Sequence, residues 1–101
     1  MGPEMLVHKW LKTQLIKKYP DVYVYKPRAG TYGKRGVPDF LCCINGLFVA
    51  IEVKTNHGKL TLSQEAELMK ISVAGGLSYT IYGKNIDTLE KIFQDIEDTV
   101  R

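Results

Sequence analysis

The sequence predicts an α/β fold in which helices flank a mixed four-stranded sheet, in the order α-β-β-β-α-β-α. Asn45-Gly46 between two apolar runs is the strongest short-range signal for an antiparallel hairpin. Apolar residues recur at helical spacing near both ends of the chain. A third helical segment separates the last two predicted strands, and this crossover implies that the sheet is mixed.

The first helix is predicted over residues 4–18, and Pro20 lies just beyond its end. Its apolar positions recur every fourth residue, with Trp10 beside them: Val7, Leu11 and Leu15. Residues 22–26 are typical of a strand whose two tyrosines we expect to divide between core and surface. A loop containing proline and three glycines follows over residues 27–36.

The predicted hairpin consists of strands over residues 39–44 and 47–54, and its two-residue turn sets the register. The register pairs Ile44 with Leu47, Cys42 with Val49, and Asp39 with Glu52. Directly paired residues share a face of the sheet, with their Cβ atoms about 4.5–5.5 Å apart. The carboxylates of Asp39 and Glu52 are therefore expected to lie together.

The second half of the chain is predicted to hold two helices and one strand. A polar loop over residues 55–59 leads into a helix over 61–74, which two glycines end. A strand over 77–82 and a helix over 86–100 complete the order. The last helix should bury one side: Ile86, Leu89, Phe93, Ile96 and Val100.

Composition favours one intracellular domain over residues 1–101. The chain has 101 residues, of which 45% are hydrophobic and 25% charged, as is usual for a globular domain. No apolar stretch approaches the roughly 20 residues of a membrane span, and no signal peptide is recognisable. Cys42 and Cys43 are adjacent in a strand and point to opposite faces. They are expected to be unpaired core thiols in a reducing cytoplasm, that of a bacterium or a phage-infected host.

Positive charge is concentrated at the front of the chain. Eight of the 14 Lys and Arg residues precede Val37, against two of the 11 acidic residues. The loop that leads into Asp39 contains four cations and no acid: Lys26, Arg28, Lys34 and Arg35. These residues, with Lys59 in a later loop, are predicted to contact nucleic-acid phosphates. A flexible, solvated loop is the alternative.

Asp39, Glu52 and Lys54 are the candidate catalytic residues. Two carboxylates placed opposite each other repel, so a bound cation is a natural reason for the pair. Lys54 lies two residues beyond Glu52 and points to the same face. A divalent metal beside an ammonium group suits phosphodiester cleavage. A solvated strand face and a turn-adjacent aspartate would explain the same residues without a site.

These residues also resemble a known family. Gly36-Val37-Pro38-Asp39 followed by Ile51-Glu52-Val53-Lys54 resembles the signature of PD-(D/E)XK nucleases. The stretch from Gly58 to Gln64 is similar to the VRR-NUC branch, found in phage and bacterial proteins and in some larger repair nucleases. The resemblance spans roughly residues 4 to 83, and it implies a restriction-endonuclease-like core.

The resemblance implies a role for each matching residue. Asp39, Glu52 and the main-chain carbonyl of Val53 would coordinate Mg²⁺ or Mn²⁺. Lys54 would orient or activate the attacking water, or neutralise charge that develops on the phosphate. Gln64 matches a glutamine near the metal, although Thr61-Leu62-Ser63-Gln64 also fits a helix-capping box.

Glu4 matches a glutamate that the family's first helix contributes to the site. Met1-Gly2-Pro3 is consistent with a cloning remnant, in which case Met5 would be the natural start and Glu4 would not be native. His8 lies one turn later and could approach the same face, but a lone histidine is more often a surface or packing residue.

The helix over residues 61–74 has more apolar surface than one stripe requires. Leu62, Ala66, Met69 and Val73 line one side, whereas Leu68 and Ile71 lie nearly opposite. Such a helix is either sandwiched within the domain or covered by another subunit. The second alternative predicts a homodimer.

The sequence thus favours a metal-dependent DNA endonuclease that is selective for DNA structure. Stand-alone VRR-NUC proteins resemble Holliday junction resolvases, and paired active sites in a homodimer would suit a branched substrate. A flap- or end-directed nuclease is the alternative among enzymes. A non-catalytic nucleic-acid-binding module of the same fold is the alternative outside them.

Overall fold

The structure is a computed structural model that describes residues 2–28 and 33–100. Its elements follow the predicted order. They are α1 (Pro3–Lys18), β1 (Tyr23–Tyr25), β2 (Phe40–Ile44), β3 (Leu47–Lys54), α2 (Leu62–Val73), β4 (Leu77–Tyr82) and α3 (Ile86–Thr99). The boundaries lie within about two residues of those expected from the sequence.

The four strands form one mixed sheet in the order β1-β2-β3-β4, as predicted. β1, β2 and β3 pair antiparallel, and β4 adds parallel to β3 after the α2 crossover. Asn45 and Gly46 have φ angles of 51° and 84°, which are typical of the tight turn that suits a twisted hairpin. The resulting register pairs Ile44 with Leu47 and Cys42 with Val49, so this part of the prediction is confirmed.

The hydrophobic core lies between one face of the sheet and the helices α1 and α3. α1 contributes the predicted residues Val7, Leu11 and Leu15. β3 contributes alternate residues, Val49, Ile51 and Val53, because side chains along a strand point to opposite faces. α2 packs on the other face, where the Ser78 hydroxyl donates to the Leu68 carbonyl at 2.9 Å.

Several packing predictions were wrong in detail. α3 buries Leu89, Ile92 and Ile96, whereas Ile86 and Val100 at its ends are exposed. Both tyrosines of β1 are exposed, since alternate residues of a strand share a face. Cys42 is buried as expected, but Cys43 is exposed on the opposite face of β2.

α2 is neither sandwiched nor covered within the described residues 2–28 and 33–100. Leu68 is buried against the sheet. The opposite stripe is open: the exposed fraction is 84% at Leu62 and 80% at Val73, and Met69 and Ala66 between them are also exposed. One of the two predicted alternatives, that of a sandwiched helix, is therefore wrong for this stripe.

Gly36, in the loop before β2, packs against the backbone of the first turn of α2. Its φ of +78° lies in the left-handed region that favours glycine. A Cβ at this position would overlap the Ser63 carbonyl and lie 2.8 Å from the Gln64 backbone nitrogen. The glycine therefore allows two backbones to touch, and this contact holds the loop against α2.

Of the helices in the described part of the chain, none has the length and apolar character that crossing a membrane requires.

Gly36→Ala should lower the free energy of unfolding by about 2 kcal/mol or more, because the positive φ and the overlap with α2 both oppose a side chain. Gly33→Ala is the matched control, since Gly33 has a φ of +73° but no atom of the described residues within 4 Å of a Cβ placed there. It should cost about 1 kcal/mol. Urea denaturation measures both variants, and equal losses would show that the contact with α2 contributes nothing.

Candidate functional site

Asp39 and Glu52 meet where β2 begins and β3 approaches its end. The Asp39 backbone N–H donates to Glu52 Oε1 at 3.2 Å, and the Val53 N–H donates to Asp39 Oδ2 at 2.9 Å. Strand pairing starts only at Phe40, so Asp39 lies in a bend just before β2. Glu52 thus accepts from the backbone of Asp39, and Asp39 accepts from the residue that follows Glu52. The predicted proximity of the two carboxylates is confirmed.

Glu52 is a buried carboxylate, with 3% of the residue exposed. Burial, and after it the Asp39 carboxylate, raises the pKa of Glu52, and the Lys54 ammonium opposes them; the net result is a pKa of about 7. Lys54 Nζ lies 3.6 Å from Glu52 Oε2. The alternative of a solvated strand face is therefore wrong for Glu52.

The Gln64 side chain makes two hydrogen bonds with different roles. Its Oε1 accepts from the Thr61 N–H at 2.9 Å, and the Thr61 hydroxyl oxygen accepts from the Gln64 N–H at 3.1 Å. This reciprocal pair is the predicted capping box. The remaining amide nitrogen, Nε2, donates to Glu52 Oε2 at 3.1 Å. The cap of α2 therefore also orients the buried carboxylate.

The N-terminal half of α1 brings Glu4 and His8 to Asp39. His8 Nε2 lies 3.7 Å from Asp39 Oδ2 and 3.9 Å from Glu4 Oε1. Burial is the main cause that lowers the pKa of His8, and the positive charge of Lys26 lowers it further. The carboxylates of Asp39 and Glu4 act in the opposite direction but do not cancel this shift. The His8 ring also packs on Phe40, with the ring centroids 5.3 Å apart.

His8 lies at the site, although from the sequence a surface or packing role was favoured for it. Its spacing of four from Glu4 places both on one face of α1, and this was the available signal. The spacing could not show that the face turns toward Asp39, because that depends on how α1 crosses the sheet.

A cleft of about 520 Å³ opens beside Asp39, between the loop before β2 and the start of α2. Three of the predicted phosphate-contacting residues line it: Arg28, Lys34 and Arg35. Lys34 also forms an ion pair with Glu67 of α2, with Nζ 3.3 Å from Oε1. Residues 29–32 of the predicted loop lie outside the described residues.

Two predicted cations lie elsewhere. Lys26 Nζ stands 5.2 Å from the centroid of the Phe40 ring, on the side of the site that holds His8. Lys59 is exposed in the loop before α2, and it is absent from the described residues that line the cleft.

The donor set fits a small divalent cation. Glu4, His8 and Asp39 each offer a ligand atom, and these atoms lie within 4.8 Å of one another. Glu52 adds a buried carboxylate next to Asp39. In a strand, the N–H and C=O of one residue point to the same side, so the Val53 carbonyl faces the side of Asp39. Carboxylate and carbonyl oxygens are the ligands that Mg²⁺ and Mn²⁺ prefer.

Comparison with known proteins identifies the fold. No family model and no curated protein matches the sequence. A solved structure described as "VRR_NUC domain" is similar, with a TM-score of 0.74 and 21% sequence identity. The alignment covers 93% of this chain and 97% of that one. The chain therefore has the fold of a VRR-NUC domain, and the fold implied by the sequence motifs is confirmed.

The raised pKa of Glu52 predicts a loss of stability toward neutral pH when no metal is present. A carboxyl group with a pKa of 4.5 unfolded and about 7 folded binds its proton more tightly in the folded state. Its contribution is complete below pH 4.5 and is lost as the pH rises through 7. In EDTA, the free energy of unfolding should fall by up to about 3 kcal/mol more in the wild type than in Glu52→Gln over this window.

Urea denaturation between pH 4.5 and 8 measures this difference, with Glu90→Gln on the exposed face of α3 as the control. Parallel pH profiles for the wild type and Glu52→Gln would show that Glu52 keeps an ordinary pKa.

Proposed function

We propose that this chain, taken as one domain over residues 1–101, is a divalent-metal-dependent endonuclease that hydrolyses DNA phosphodiesters. The observation that carries the proposal is the buried carboxylate of Glu52, held against Asp39 and Lys54 at the edge of a basic cleft. The structural likeness to a VRR_NUC domain supports it.

Burying the Glu52 carboxylate costs folding free energy, and a protein that only binds nucleic acid would gain nothing in return. Two neighbouring carboxylates repel each other and repel a polyanion, so a pure binding module would gain nothing from them. A divalent cation reverses both effects, because it neutralises the pair and attracts a phosphate oxygen. This favours an enzyme over the non-catalytic module.

In this proposal Asp39, Glu52 and the Val53 carbonyl hold Mg²⁺ or Mn²⁺. The bound ion supplies Lewis-acid polarisation of the phosphoryl oxygen and a lower pKa for an adjacent water. Lys54, 3.6 Å from Glu52, orients the attacking water or stabilises the charge that develops on the phosphate. Gln64 keeps Glu52 in place through its Nε2 hydrogen bond, and Glu4 completes the acidic set on the α1 side.

The substrate follows from the cleft. Arg28, Lys34 and Arg35 line it together with Asp39, so a phosphate bound by these cations would lie beside the metal ligands. Lys26 and Lys59 would extend the contact to flanking phosphates. The domain has little room for elements that read base sequence, so we propose selectivity for branched DNA such as a four-way junction. Such a substrate, and the unpaired thiols of Cys42 and Cys43, favour the cytoplasm.

We also propose that the open stripe of α2 forms the interface of a homodimer. Leu62, Met69 and Val73 present a row of large apolar side chains to solvent, which costs free energy unless a partner covers it. A twofold arrangement would place two cleavage sites on one branched substrate.

Asp39→Asn should lower the rate of DNA cleavage by at least about 100-fold, since the amide cannot replace a metal-binding carboxylate. A supercoiled plasmid and a synthetic four-way junction serve as substrates, with Mg²⁺, Mn²⁺ or EDTA. Asp21→Asn is the matched control, because Asp21 lies near the hairpin turn at the opposite end of the strands. It should keep the wild-type rate.

Cleavage that persists in EDTA or in Asp39→Asn would refute the proposal. Binding without cleavage under both metals would favour the non-catalytic module. A junction that is cut no faster than a linear duplex would remove the proposed structural selectivity.

Met69→Lys combined with Val73→Lys should weaken dimerisation at least tenfold, because two charges would be buried in an apolar interface. Sedimentation equilibrium measures the association constant. Ser72→Lys adds a charge to the same helix, about 100° away from Val73, and should leave association unchanged. A wild-type protein that sediments as an 11.4 kDa monomer at high concentration would refute the dimer.

A further inference from the structure

The two ring nitrogens of His8 are buried and have no hydrogen-bond partner among the described residues. Both ring nitrogens, Nδ1 and Nε2, are inaccessible to solvent, and 11% of the side chain is exposed. Buried polar atoms are nearly always paired, so each exception requires an explanation. Packing on Phe40 accounts for the position of the ring but leaves its nitrogens unsatisfied.

Nε2 faces two carboxylates without bonding to either of them. Its distances of 3.7 Å to Asp39 Oδ2 and 3.9 Å to Glu4 Oε1 are too long for hydrogen bonds. Two atoms that share one ion at about 2.1 Å lie about 3.0 Å apart when adjacent and about 4.2 Å apart when opposite. Both separations from Nε2 fall between these limits, so one ion could contact Nε2 together with either carboxylate after small adjustments.

His8 and Asp39 both have lone pairs available for coordination. A neutral imidazole offers the lone pair of one ring nitrogen to a metal. Asp39 Oδ2 already accepts the Val53 N–H and retains a second lone pair for an ion.

We propose that His8 Nε2 is a direct ligand of the divalent ion at Asp39, and that this nitrogen makes the site prefer Mn²⁺ to Mg²⁺. Imidazole nitrogen suits transition-metal ions, whereas Mg²⁺ is bound mainly through carboxylates and retained waters. The inference rests on the metal site of the proposed function, but it does not depend on DNA cleavage.

Pulsed electron paramagnetic resonance of bound Mn²⁺ tests the inference on the intact protein. A coordinated imidazole gives a nitrogen coupling that changes when histidine is labelled with ¹⁵N, whereas a backbone nitrogen does not respond to this label. The chain has two histidines, and the other, His57, is exposed in the loop before α2. The labelled coupling should be present in the wild type and in His57→Gln, and absent in His8→Gln.

Titration calorimetry adds a second measurement. His8→Gln should weaken Mn²⁺ binding at least tenfold and Mg²⁺ binding less than threefold, whereas Asp39→Asn should weaken both strongly. The spectrum of the wild type decides the question even if His8→Gln fails to fold.

Each outcome separates the inference from the proposed function. Bound Mn²⁺ without a histidine coupling would overturn the inference and leave the Asp39 site standing. Wild-type protein that binds no Mn²⁺ would overturn both the inference and the metal dependence. A histidine coupling in a protein that cuts no DNA would support the inference and refute the nuclease.

Discussion

The burial of the Glu52 carboxylate beside Asp39 is the constraint on which the site depends. Water is excluded from Glu52, so the protein itself must satisfy the oxygens. The Asp39 N–H and the Gln64 amide donate hydrogen bonds to them, and the Lys54 ammonium forms an ion pair at 3.6 Å. Even with these partners the pKa rises to about 7, which leaves a carboxylate that a cation would stabilise further.

The N-terminus of α2 connects this carboxylate to the surface. Gln64 caps the helix and donates to Glu52, so the direction of α2 and the position of the carboxylate depend on the same side chain. Gly36 lets the loop that carries Arg35 touch the adjacent Ser63. The basic cleft, the helix cap and the carboxylate pair therefore form one unit. A change in any of them would alter the others.

The two faces of the sheet differ in what they bury. α1 and α3 cover the apolar face, and the same helix α1 that buries Leu11 brings His8 to Asp39. On the other face, α2 covers Glu52 and leaves its own outer stripe in solvent. Stability thus comes mainly from one side of the sheet. The carboxylate pair of the candidate site lies at one end of the strands. The proposed subunit contact lies on α2, which packs on the opposite face of the sheet.

Local patterns in the sequence were sufficient for the element order, the hairpin register and the meeting of Asp39 with Glu52. The two-residue Asn45-Gly46 turn sets the register of β2 against β3, and the strict alternation of side chains then assigns each pair to one face of the sheet. Tertiary packing alone decided that Glu52 is buried, that Gln64 reaches it from the cap, that α3 buries Ile92 rather than its end residues, and that His8 faces Asp39. These features depend on how helices cross the sheet, which is the sum of many weak contacts between residues distant in sequence.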